Sequence, residues 1–145
     1  MRELPRKLTV DQLADLFEGR TRFVERLAEL DDPLARADEL IRQIPEEELL
    51  EALHAHPAIG ARGLSGRSKL EQGPDADAAV ETELAYLNQV YEEKFGFRFV
   101  VFVNRRPKLE ILEVLRERLG RTREEELETA MHELVAIARD RWERL

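Results

Sequence analysis

Three places in this sequence carry side chains that could move a proton or bind a charged or polar group. His56 lies in LLEALHAHPAIG, directly before Pro57, where a helix should already have stopped. Proline disfavours helical geometry in the residue before it, so the imidazole can be turned off the helix surface. Its unperturbed pKa of about 6.5 suits proton exchange near neutrality. Glu71 and Gln72, in the stretch SKLEQ, offer an acceptor and an amide beside a loop that contains Gly60, Gly63 and Gly66. Arg141 continues the apolar stripe Leu127, Met131, Leu134, Ala138, at a position the helical period assigns to the core. A buried guanidinium is costly unless paired, which points to an internal anion.

Each has a plain alternative. A histidine before proline is more often a helix end than an acid–base residue. Ser68-x-x-Glu71 is formally a capping box. Arg141 stands close to a helix terminus and could reach water, leaving Trp142 to cover the stripe. His54 reads as a helix-face residue, and His132 stands beside Met131. Three scattered histidines, no HExxH and no cysteine give no basis for a zinc site, so no metal is expected.

The elements that must position these groups are helical. At 145 residues the chain suits one domain, 1–145, with a single core. A net charge of −8 disfavours phosphate backbones, so no nucleic-acid partner is expected. No apolar run approaches a membrane span, and MRELPRKLTV lacks the apolar stretch of a signal peptide. The terminal WERL is not a peroxisomal SKL-type signal; a cytoplasmic, membrane-free protein is the expectation. Zero cysteines exclude disulfides and thiolate chemistry.

Leu, Ala, Glu and Arg recur at three- and four-residue spacing almost throughout. Thr9 with Gln12, and Thr122 with Glu125, are capping boxes that open helices. Pro33 and Pro45 start two more, the second with three glutamates facing the positive end of its dipole. Val80, Leu84, Leu87 and Tyr91 face inward on a long helix ending at Gly96, and a further helix after Pro107 is expected to bury Leu109, Leu112, Leu115 and Leu119. The exception is FRFVVFV, Phe97 to Val103, a strand by propensity with no second strand to pair with. A buried extended segment is more consistent, and its backbone groups then need other partners, among them a ligand. The expected fold is an all-α, single-domain bundle of about seven to nine helices with this one buried extended segment.

AHPAIG, SKLEQ, ELAYLNQVYEEKFGFRFVVFV and ELVAIARDRW, in that order, resemble the family of 2-oxo-4-hydroxy-4-carboxy-5-ureidoimidazoline (OHCU) decarboxylases of urate breakdown. The likeness runs from about Thr9 to the C-terminus and is most specific at LNQVYEEKFGFRFV. The resemblance implies an all-α, cofactor-free enzyme, commonly a homodimer, that converts the small-molecule substrate OHCU to (S)-allantoin with loss of carbon dioxide.

Carried over by motif, His56 transfers the proton, Pro57 lines the site, and Glu71 is the second catalytic candidate. Ser68, Lys69, Leu70, Glu71 and Gln72 match the family's S-x-x-E-Q stretch. Phe99, Val100, Val101, Phe102 and Val103 match the segment whose backbone contacts the substrate ring. The late arginine of the family falls on Arg141, in agreement with the stripe. Arg98 replaces the family's usual proline and puts the backbone path after it in doubt. Two other readings stay open: a related ureide or hydantoin enzyme with the same site, and a non-catalytic acidic helical module that binds a partner.

Overall fold

The computed structural model describes residues 3–57 and 78–145, and among these the secondary structure is helical, without a strand. Seven helices stand in the described residues: α1 Val10–Phe17, α2 Arg22–Ala28, α3 Pro33–Ile41, α4 Glu46–Ala55, α5 Ala78–Phe95, α6 Lys108–Arg118 and α7 Arg123–Glu143. The chain divides into two compact units, one of residues 1–56 and 128–145, the other of residues 57–127.

In the first unit the helix boundaries follow from local sequence. Thr9 accepts from the Gln12 N–H at 3.1 Å while the Gln12 side chain accepts from the Thr9 N–H at 2.9 Å, so two of the unpaired donors at the start of α1 are satisfied reciprocally. Pro33 occupies the first turn of α3, where no N–H is needed. The glutamates that open α4 do more than complement a dipole. Glu48 is buried and takes Arg26 through Nε at 2.5 Å and Nη2 at 3.0 Å, while Glu47 and Glu51 take Arg22. The buried residues of this unit include Leu13, Leu16, Phe17, Phe23, Leu27, Leu34, Leu53, Met131 and Leu134. Burial of each large apolar side chain contributes about 1.5–3 kcal/mol.

The second unit is organised around Tyr91 on α5. Its ring lies 4.6 Å from that of Phe95, 5.9 Å from Phe97 and 5.2 Å from Phe99. Gly96, at φ +81°, takes the left-handed conformation that ends α5 and turns the chain into the segment after it. Residues 97–103 form no regular secondary structure, and Phe97, Phe99, Val100, Val101 and Val103 are buried, as expected for an extended core segment.

Its end is a tight turn: Val103 O accepts from the Arg106 N–H at 3.0 Å, with Asn104 and Arg105 both at positive φ. On α6 the buried positions are Ile111, Leu112, Leu115 and Arg118. Leu109, expected inside, is 52% exposed and Leu119 is half-buried, because the buried face runs through Ile111, Leu112, Leu115 and Arg118 and leaves both outer leucines at its edges. Thr122 and Glu125 exchange backbone-to-side-chain bonds at 3.0 and 3.2 Å and start α7.

Candidate active site

His56 is the C-cap of α4. Its φ of −81° and ψ of 134° are extended, and its N–H still reaches the Leu53 carbonyl at 3.2 Å. The proline at 57 therefore does what its type dictates: the helix stops at Ala55 and the imidazole leaves the helix axis. The ring is half-buried, and its Nδ1 is shielded from solvent. His54, two residues earlier, is exposed on the helix face.

The end of α1 supplies the setting for both His56 and Arg141. Gly19 follows Glu18, and a methyl group at Gly19 would lie 2.7 Å from the Ala55 Cβ, so glycine is demanded there by close approach to the last residue of α4. Glu18 adopts the left-handed conformation at φ 59°, which is strained for a residue with a side chain. Its carboxylate accepts from Arg141 Nη2 at 3.0 Å, and the Leu16 carbonyl, at the negative end of α1, accepts from Arg141 Nη1 at 2.8 Å. Arg141 is 1% exposed. The stripe thus located a buried guanidinium, not one that reaches water, and Glu18 is an internal anion for it. Trp142 turns the other way, and its Nε1 donates to the Glu3 carbonyl at 2.8 Å.

The neighbouring cations and the last histidine are structural. Arg139 donates to the Leu34 carbonyl at 2.8 Å and to Asp38 at 3.1 Å, and His132 Nδ1 lies 2.6 Å from the other Asp38 oxygen. Burial raises the Asp38 carboxyl, but the bonds from His132 and Arg139 outweigh it and hold the group below its ordinary value. No group of three histidine, aspartate or glutamate side chains suited to a metal ion occurs among the described residues.

In the second unit, arginines supply the partners that the extended segment needs. Arg118 Nη1 donates to the Val100 carbonyl at 2.7 Å. Arg106 Nη2 donates to the Phe102 carbonyl at 2.6 Å and Arg106 Nε to the Val103 carbonyl at 3.1 Å. Arg123 Nε reaches the Phe95 carbonyl at 3.0 Å. These side chains were not singled out by the sequence. Arg118 had a signal available, since it stands seven residues after Ile111 and three after Leu115 on the buried face.

His56 and Arg141 fall in the first compact unit, whereas Pro57 and Phe99 to Val103 fall in the second. Ser68, Lys69, Leu70, Glu71 and Gln72 lie outside the described residues.

The family model described as OHCU decarboxylase matches residues 2–143. The 2-oxo-4-hydroxy-4-carboxy-5-ureidoimidazoline decarboxylase of Halalkalicoccus jeotgali is 29% identical over 148 residues, which cover 94% of this chain and 84% of that protein. The uric acid degradation bifunctional protein of Bacillus subtilis is 25% identical over 152 residues, and the match spans 97% of this chain but 31% of that longer protein. Among solved structures, a crystal structure of OHCU decarboxylase in the presence of (S)-allantoin superposes with a TM-score of 0.75 at 26% identity, covering 90% of this chain and 94% of that one.

Proposed function

This chain belongs to the OHCU decarboxylase family, and from that membership we infer that it decarboxylates 2-oxo-4-hydroxy-4-carboxy-5-ureidoimidazoline to (S)-allantoin in urate degradation. The observation that carries the reading is the family match over nearly the whole chain, residues 2–143. The burial of Arg141 at the position of the family's late arginine, and the extended backbone at His56, support it.

The reaction asks for two things. Cleavage of the bond between the ring carbon and its carboxylate releases carbon dioxide and leaves the electron pair on the ring, where unsaturation delocalises it. A proton must then reach the ureido-bearing carbon from one face, while the hydroxyl on the neighbouring carbon becomes a carbonyl and its proton passes, directly or through solvent, to the ring nitrogen that took up the electron pair. Donors fixed in advance toward the developing charge are usually the largest source of acceleration.

His56 is the proton-transfer residue in this proposal, because an imidazole exchanges protons near neutral pH. Arg141 offers a planar fork of N–H donors to the substrate's carboxylate or a carbonyl oxygen, held in place by Leu16 and Glu18. Glu71 is the second catalytic group, with Gln72 pairing to ring or ureido N–H groups, and Ser68, Lys69 and Leu70 complete that stretch. Pro57 and the backbone of Phe99, Val100, Val101, Phe102 and Val103 meet the ring. The chemistry assigned to these residues calls for no cofactor. A single domain over 1–145, a homodimer and a cytoplasmic setting complete the proposal and rest on the family resemblance.

The test generates OHCU in place from urate with uricase and the hydrolase that follows it, then adds this protein. Faster loss of OHCU with a single enantiomer of allantoin is the expected result. Loss at the uncatalysed rate with racemic product would overturn the reading.

A further inference from the structure

An extended segment with no neighbouring strand has no ladder to fix its peptide planes. At Val100, among the described residues, that task falls to one side chain. Arg118, 5% exposed, donates through Nη1 to the Val100 carbonyl at 2.7 Å and lies over the Phe99 ring, 4.7 Å from its centroid. Its Nε donates at 2.7 Å to Oε1 of Glu126, which is 0% exposed. The same oxygen accepts the Tyr91 hydroxyl at 2.6 Å, and the other accepts Arg121 Nη1 at 3.0 Å.

Nη2 of Arg118 is buried with no hydrogen-bond partner among the described residues. An orientation that leaves one donor unsatisfied is dictated by the two that are used, and those two are Glu126 and the Val100 carbonyl. Buried ion pairs contribute little net stability beyond that of apolar side chains filling the same volume. What an apolar replacement cannot do is hold a peptide carbonyl in one direction.

We propose that Arg118, oriented by Glu126 and Tyr91, is a positioning residue that sets the backbone of Phe99 to Val103 for the substrate ring. The inference rests on the functional reading above, in which that backbone meets the ring. Because the ring is held before and during reaction, the effect falls on KM more than on kcat.

The test uses two variants of the full chain. R118M with E126Q removes both charges together, so neither is left buried alone, and deletes the donor to Val100. Arg118→Lys keeps the charge opposite Glu126 but cannot hold Glu126 and Val100 with one planar fork. In each, KM for OHCU is expected to rise about tenfold, with kcat changed less than about threefold, the loss of one well-placed buried hydrogen bond. Hydrogen–deuterium exchange at the amides of residues 99–103 is expected to quicken, while amides of α1 to α4 exchange as in the parent.

A folded variant with the parent's KM and the parent's exchange at 99–103 overturns the inference, and if the double variant does not fold, Arg118→Lys decides alone. A parent inactive on OHCU overturns the functional reading itself; the exchange comparison, which needs no substrate, then decides whether Arg118 positions the segment.

Discussion

Glu18 holds Arg141. The carboxylate of a residue in the left-handed conformation accepts from the guanidinium at 3.0 Å, 123 residues away in sequence, and both belong to the same compact unit. Strain at one residue and burial of a charge at another are each unfavourable alone. Here they occur together, in the arrangement expected where a cation must be kept in one orientation.

Removal of one member should therefore cost more than removal of both. Glu18→Ala is expected to lower the unfolding free energy by about 3 kcal/mol, because it takes from the buried guanidinium the carboxylate that faces it at 3.0 Å. E18A combined with R141M should recover at least about 1 kcal/mol of that loss. Urea denaturation of the two single variants and the pair measures the coupling, and additive losses would show that the contact is incidental. Arg141→Lys, which cannot reproduce the fork, is expected to lower kcat/KM at least about tenfold.

His56→Ala separates chemistry from helix capping. The histidine caps α4 through its backbone N–H, which alanine retains, so circular dichroism and melting should stay near those of the parent. Loss of the imidazole is expected to reduce kcat by about 10²–10⁴-fold, the usual worth of a positioned acid–base group. Retention of most activity would return His56 to the role of a helix end.

Local signals were legible in the sequence, and so was one long-range one. The capping boxes at Thr9 and Thr122, Pro33 in a first turn and Gly96 as a stop all act within a few residues, where residue type determines geometry. Arg141 was legible because a charge on an apolar stripe breaks the period. Glu126 obeys the same count, four residues before Ala130 and eight before Leu134, yet it is hidden in the run Glu124-Glu125-Glu126, which reads as a solvated first turn. Only its partners Tyr91, Arg118 and Arg121 distinguish it, and they come from other elements. Similarly, the spacing of leucines placed Leu109 inside, although the face that is buried begins at Ile111.

Gly19 gives a test of the setting of His56 that leaves the histidine in place. A methyl group there would lie 2.7 Å from the Ala55 Cβ, and neither atom can rotate away. Gly19→Ala is expected to cost about 1–3 kcal/mol through overpacking. It should also lower kcat/KM, since Ala55 is the last residue of α4 and carries the backbone of His56. G19A with A55G removes the clash and should restore activity, apart from about 1 kcal/mol of stability lost to glycine in a helix. If A55G does not rescue G19A, close approach is not the reason for glycine at this position.

Tyr91 provides a pH signature for the buried network of the second unit. Burial, reinforced by the bond to Glu126, pushes its hydroxyl well above the ordinary tyrosine value. A raised value in the folded state means that the folded protein keeps a proton which the unfolded chain gives up above about pH 10. The stabilisation is therefore complete below about pH 10 and is lost as the pH rises toward the folded value.

Tyr91→Phe lacks this titration. At neutral pH it should be less stable by about 1.5–3 kcal/mol, the worth of a buried hydrogen bond to a charged group. Between about pH 9 and pH 12 its urea midpoint should fall less steeply than that of the parent. Parallel curves would mean that the Tyr91 proton is not shared with Glu126. They would also remove the phenol from the set of groups that orient Arg118, leaving Glu126 alone to aim the guanidinium at the Val100 carbonyl.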